Sequence, residues 1–164
     1  MTQAVSNISS FWKWVIAVVI CEAAGIVSAL ISMTAMNPWF DTLNKPSWNP
    51  PAYLFGPVWT FLYVLMGTAL WLIWKSDAPE KEKKSAEIVF AIQLFLNFWW
   101  SIIFFRYHEL ALAFAEVILL LITIAITIFR FAPISRTAAW LMVPYISWVS
   151  FASILNYTIW MMNK

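Results

Sequence analysis

The chain has 164 residues, of which 63% are hydrophobic and only 11% charged, too few charges to clothe a soluble core of that composition, so its solvent is read as lipid. The net charge of +2 excludes a nucleic-acid surface. The lone cysteine, Cys21, and the lone histidine, His108, exclude an internal disulfide, a Cys- or His-rich metal site and a bis-histidine haem.

Residues 1–11 carry no charge, and the apolar run behind them is too long for a signal-peptide core, so the first helix is expected to be retained. Five apolar spans follow, at residues 14–33, 54–74, 88–105, 110–129 and 138–160. Each is about 18–23 residues long, and ~20 residues at ~1.5 Å rise cross a ~30 Å hydrocarbon layer. Helices are expected because backbone polar groups in lipid must pair within their own segment. The predicted fold is all-α: one domain over residues 1–164, an integral membrane bundle of five transmembrane helices.

Span one carries Glu22 and a run of small residues, Ala24, Ser28 and Ser32, flanked by Gly25 and Ala29. Such a run lets a helix approach closely, inside the bundle or across a dimer. The longest connection, 34–53, holds Pro46, Trp48, Pro50 and Pro51. Pro57 fits the first turn of span two, where its missing N–H costs nothing. Residues 75–87, "KSDAPEKEKKSAE", read as a charged loop in water. A tight turn at 106–110 precedes span four, which carries Glu116, and residues 130–137 lead to span five. Pro144 should kink span five near its start.

Lys13, Lys75, Lys81, Lys83, Lys84, Arg130 and Arg136 fall on one side of this arrangement, and Lys45, Arg106 and Lys164 on the other. The excess places the N-terminus and the charged loop in the cytoplasm for a plasma-membrane protein. Trp12, Trp14, Trp71, Trp74, Trp140 and Trp160 lie near span ends, as an interfacial aromatic belt would.

The interior is read from polar and aromatic residues at helical spacing. Gln93, Asn97, Trp100 and Phe104 share one face of span three. Trp59, Tyr63, Met66 and Leu70 share a face of span two, and Tyr145, Trp148, Ala152 and Asn156 a face of span five. Taken singly, the amides could be interhelical polar glue. As a set, three aromatic stripes with amides fit walls around a flat apolar ligand. Glu22 and Glu116 are intramembrane acids without a cation at helical spacing, either inter-helix hydrogen-bonding groups or proton sites. No Ser-His-Asp set, phosphate-binding glycine loop or metal-ligand spacing is present.

The blocks "KPSWNPP" (45–51), "GPVWTFLYVLMGTAL" (56–70), "QLFLNFWWSIIFF" (93–105) and "LMVPYISWVSFASILNYTIW" (141–160) resemble the translocator protein family. The family is also called the tryptophan-rich sensory protein or peripheral benzodiazepine receptor family. The resemblance runs in order over about residues 38–160 and implies a five-helix transmembrane bundle, often a homodimer. It implies binding of porphyrins such as protoporphyrin IX and haem, and of benzodiazepine and isoquinoline-carboxamide ligands, in a pocket under the loop between spans one and two. It links bacterial members to tetrapyrrole regulation and stress responses, mitochondrial ones to cholesterol and steroid synthesis, and some members to light-dependent porphyrin breakdown. Matched position by position, Trp59 and Trp148 are the pocket tryptophans, Asn97 a ligand-facing amide, Tyr63 a pocket tyrosine, and Ala152 a small position that affects binding.

The family's cholesterol motif is incomplete: Leu155 and Tyr157 fit, but Lys164 lies too far beyond Tyr157. Sterol is therefore not expected, and a bacterial cell membrane is favoured over a mitochondrial outer membrane. The ligand-binding set is Trp59, Tyr63, Gln93, Asn97, Trp100, Tyr145, Trp148 and Ala152, under a rigid lid of Pro46, Trp48, Pro50 and Pro51. Prolines there limit φ and lower the entropy lost on ordering. No cofactor or metal is required; porphyrin enters as ligand. The expected role is a tetrapyrrole receptor or carrier. The alternatives are photochemical porphyrin degradation through Trp59 and Trp148, and a small transporter using Glu22 or Glu116 as proton site.

Overall fold

A computed structural model describes residues 9–164. The helices are α1 (Ser10–Met36), α2 (Trp39–Thr42), α3 (Ala52–Lys75), α4 (Glu80–Ser101), α5 (Leu110–Phe131), α6 (Arg136–Leu141) and α7 (Val143–Met162). A π-helical turn, Ile102–Arg106, continues α4. Five units are long and apolar enough to cross a membrane: α1, α3, α4 with its π turn, α5, and α6 with α7. The expected five-span bundle is therefore present, and all regular structure among the described residues is helical.

Two expectations need correction, and a third is refined. The charged segment is mostly helix: α4 begins at Glu80, so only residues 76–79 connect it to α3. Pro79 caps the start, and Glu80 and Glu82 in the first turn suit the positive end of the helix dipole. Hydropathy cannot see a water-exposed helical extension, which is why it read as loop. Pro57 lies inside α3, beyond the first turn, because the helix starts earlier, at Ala52. Finally, the expected disruption of span five at Pro144 is present, as a break between two helices. Residues 136–141 form α6, capped by Ser135 Oγ accepting from Ala138 N at 3.2 Å, and α7 restarts at Val143 with the proline in its first turn.

Gly25, Ser28 and Ser32 of α1 face the bundle interior, whereas Ala29 is exposed. Ser28 Oγ donates to the Phe98 carbonyl of α4 at 2.6 Å, and Ser32 Oγ to the Ser28 carbonyl at 2.8 Å. Gly67 of α3 lies against the backbone of Val18, and Gly25 of α1 against the ring of Tyr63, where a Cβ would clash. Near the other end of the same seam, Trp14 Nε1 donates to Thr68 Oγ1 at 3.0 Å and Trp71 Nε1 to the Ser10 carbonyl at 2.9 Å.

Two apolar clusters fill the bundle. The larger runs from Ile73, Ala86, Phe90 and Phe131 at the Glu80 end up to Tyr63 and Tyr145. The smaller holds Phe104, Ala113, Leu155 and Ile159, roofed by Trp39, Phe40 and Leu43 of the long connection. The candidate site lies where the two meet.

Candidate functional site

Four of the predicted residues are joined in one buried hydrogen-bonded chain. Tyr63 Oη donates to Asn97 Oδ1 at 2.6 Å, Asn97 Nδ2 donates to Tyr145 Oη at 3.1 Å, and Tyr145 Oη donates to Gln93 Oε1 at 2.9 Å. Three helices meet here: α3 supplies Tyr63, α4 the two amides one turn apart, and α7 Tyr145. The donors run in one direction and end at Gln93, whose Nε2 is buried and has no protein acceptor. An amide N–H in hydrocarbon without a partner is costly. The chain thus leaves one spare donor in the middle of the bundle.

Aromatic rings wall this chain. Trp59 stacks on Tyr63 with centroids 5.5 Å apart and meets Tyr145 edge-on at 6.3 Å. Phe55, one turn before Trp59, meets Trp148 at 6.0 Å, and Trp148 meets Phe151 at 5.5 Å. Trp48 of the proline-rich loop packs its edge on Phe151 at 5.9 Å. A continuous run of rings therefore descends from the loop to Trp148 and Phe55. Ala152 sits half-buried one turn beyond Trp148. Trp100 does not join the hydrogen-bonded chain. It stacks on Phe104 at 5.4 Å and packs against both apolar clusters, with its buried Nε1 unpartnered.

These side chains touch one another. Two grooves of about 300 and 180 Å³ lie elsewhere: one is lined by Phe114, Ile118, Ser153, Ile154 and Tyr157, the other by Ile20, Leu70, Trp74, Glu87, Phe90, Ala91 and Leu94. A ligand at the aromatic site must displace rings already in contact.

The long connection is tied down by residues that the sequence did not single out. Asn163, just past α7, accepts from the Asn44 backbone N–H and donates to the Asn44 carbonyl, both at 2.9 Å. Lys45 Nζ donates to the Phe40 and Leu43 carbonyls and lies 4.6 Å above the Phe40 ring. Asn49 N–H closes a turn onto the Pro46 carbonyl at 3.0 Å, and Pro51 caps α3. His108, at φ 60°, stacks on Trp39 at 3.9 Å and places Nε2 3.0 Å from the Ala35 carbonyl. No residue pattern marks Asn44 and Asn163 as partners 119 positions apart.

Glu116 has both carboxyl oxygens buried without a protein partner, and Glu22 has one. The ion pair found among the described residues is Lys83–Glu80 at 2.6 Å, on the water-exposed start of α4. Among those residues no His, Cys, Asp and Glu group could hold a metal ion.

Residues 17–161 match the model of the TspO/MBR family. The chain belongs to the TspO/MBR family. It is 42% identical over 144 residues to the tryptophan-rich protein TspO of Chlorobaculum tepidum, covering 88% of this chain and 91% of that one. The tryptophan-rich protein TspO of Archaeoglobus fulgidus is 34% identical, over 92% of this chain and 97% of its own. The human translocator protein is 36% identical, over 76% of this chain and 75% of its own. This TspO/MBR chain is thus a multi-pass membrane protein, and the matched region contains every residue of the phenol–amide chain and of its ring walls.

Proposed function

We propose that this membrane protein is a receptor or carrier for flat aromatic ligands of the tetrapyrrole kind, protoporphyrin IX and haem, with benzodiazepine-type and isoquinoline-carboxamide molecules as further ligands. Its role would be tetrapyrrole regulation or stress signalling, in a bacterial cell membrane. The observation that carries the reading is the buried Tyr63–Asn97–Tyr145–Gln93 chain, which ends on an unpaired Gln93 donor and whose two tyrosines meet the Trp59 ring. Indole and phenol faces supply stacking and apolar burial, and a few amides orient the ligand. The ligand slides between the α3 and α7 aromatics once Trp148 swings and the loop lifts from Phe151. Iron plays no part in binding, because His108 is engaged with Trp39 and Ala35 near the bundle's outer end. Iron-free porphyrin should then bind about as well as haem.

Absorbance titration of protoporphyrin IX into the protein in lipid nanodiscs tests this. Wild type should saturate with a shifted Soret band, and Asn97→Leu should bind at least about tenfold more weakly. Identical linear uptake by both proteins and by empty nanodiscs would refute it.

A second reading, light-driven oxidation of bound porphyrin, is favoured by the Trp59–Tyr63 stack, since adjacent indole and phenol rings can supply electrons to an excited ligand. Bleaching that persists in Trp59→Phe and Trp148→Phe excludes it.

A further inference from the structure

Beyond the phenol–amide chain, two other interior N–H groups lack protein partners. Asn156 of α7 is 1% exposed, yet neither its Oδ1 nor its Nδ2 has a protein partner. Trp100 of α4 holds Nε1 buried and unpartnered. With Gln93 Nε2, from a side chain that is 0% exposed, these make three N–H donors with no acceptor among the described residues.

Their heights are ordered. α4 and α7 run in the same direction, and Tyr145 fixes their alignment by bonding Gln93 and Asn97. Trp100 is two turns above Gln93 and packs in the cluster that contains Leu155 and Ile159. Asn156 lies within that stretch, three turns above Tyr145 on the same face of α7, roughly 16 Å at ~1.5 Å per residue. The donors thus climb from the middle of the bundle to beneath the roof formed by Trp39, Phe40 and Leu43. An apolar side chain at 156 would leave no unpaired amide in the interior, so the amide's role lies with a partner from outside the chain.

We propose that Gln93, Trp100 and Asn156 form a row of hydrogen-bond donors for the ligand of this site. That ligand is an elongated flat molecule carrying carbonyl or carboxyl oxygens at its outer end, ~16 Å from the Gln93 level. The row bears no cation, so it selects oxygen acceptors by hydrogen bonding rather than by charge, and Asn156 sets specificity at the end nearest the loop. The inference rests on the ligand reading above and adds the ligand's polarity and direction to it.

Two porphyrins separate the inference from that reading. Protoporphyrin IX carries two propionic acid side chains, and etioporphyrin has the same macrocycle with alkyl groups only. Both are titrated into the full chain in nanodiscs, as wild type and as Asn156→Leu. The row predicts about tenfold weaker binding of protoporphyrin IX by Asn156→Leu, with etioporphyrin unchanged within about twofold. Trp100→Phe, which keeps the ring and removes the donor, should shift selectivity in the same direction if Asn156→Leu does not fold. Equal losses for both porphyrins, or no loss for either, overturn the row and leave the aromatic site standing. If neither porphyrin saturates wild type, the underlying reading fails with it.

Discussion

Tyr63 donates its hydroxyl to Asn97 across 2.6 Å while its ring rests on Gly25 of α1, so one tyrosine joins helix packing to the polar chain of the site. The contact leaves no room for a methyl group. Gly25→Ala should push the ring away, cost about 1–3 kcal/mol of stability and weaken ligand binding. Gly56→Ala is the control: nothing lies within 4 Å of a Cβ there, and alanine in a helix is favoured by roughly 0.5–1 kcal/mol. Thermal unfolding in detergent should move down for the first variant and up for the second.

Tyr145 holds the centre of the chain, accepting from Asn97 and donating to Gln93. Tyr145→Phe strands a donor and an acceptor in a dry interior, an expected loss of about 1–3 kcal/mol for each. Tyr63→Phe strands only Asn97 Oδ1 and should cost less. Unfolding midpoints of the two variants give the order directly.

The loop over the site is clamped to the end of α7 through Asn163. Asn163→Ala should free the Asn44 amide, whose hydrogen exchange should quicken roughly fivefold for ~1 kcal/mol of lost local stability. Exchange mass spectrometry would show this without any ligand. Replacing Pro50 and Pro51 by glycine should lower ligand affinity with the fold intact, because the loop must then be ordered on binding. Unchanged affinity removes the lid.

Orientation rests on the Lys and Arg excess at the Glu80 end. For a plasma-membrane location, Lys81→Cys should react with an impermeant maleimide from the cytoplasmic side, and Ser47→Cys from the opposite side. Both native residues are exposed, and native Cys21 is buried. The reverse pattern would invert the protein.

Much of this was legible in the residues. Long apolar runs report membrane spans because lipid leaves the backbone no alternative to the helix. Spacing placed Gln93 with Asn97 and Tyr145 with Trp148 because helical periodicity fixes faces. It could not show that Tyr145 reaches both amides, since that depends on the relative depth of α4 and α7, which no local pattern encodes. Spacing put Trp100 on the amides' face of α4, and could not show that its ring packs against both apolar clusters and stacks on Phe104. The start of α4 was hidden because its first turns are charged, and the Asn44–Asn163 clamp because it joins two ordinary polar residues across the whole chain.

The most direct test of the ligand site is tryptophan fluorescence quenching by protoporphyrin IX, in the dark, on wild type, Trp59→Phe and Trp148→Phe. The account predicts saturable quenching in wild type, with part of its amplitude lost in each variant, because both indoles stand at the site. Linear quenching of the same slope in all three would mean that porphyrin merely dissolves in the surrounding lipid or detergent, and that the aromatic stripes are packing alone.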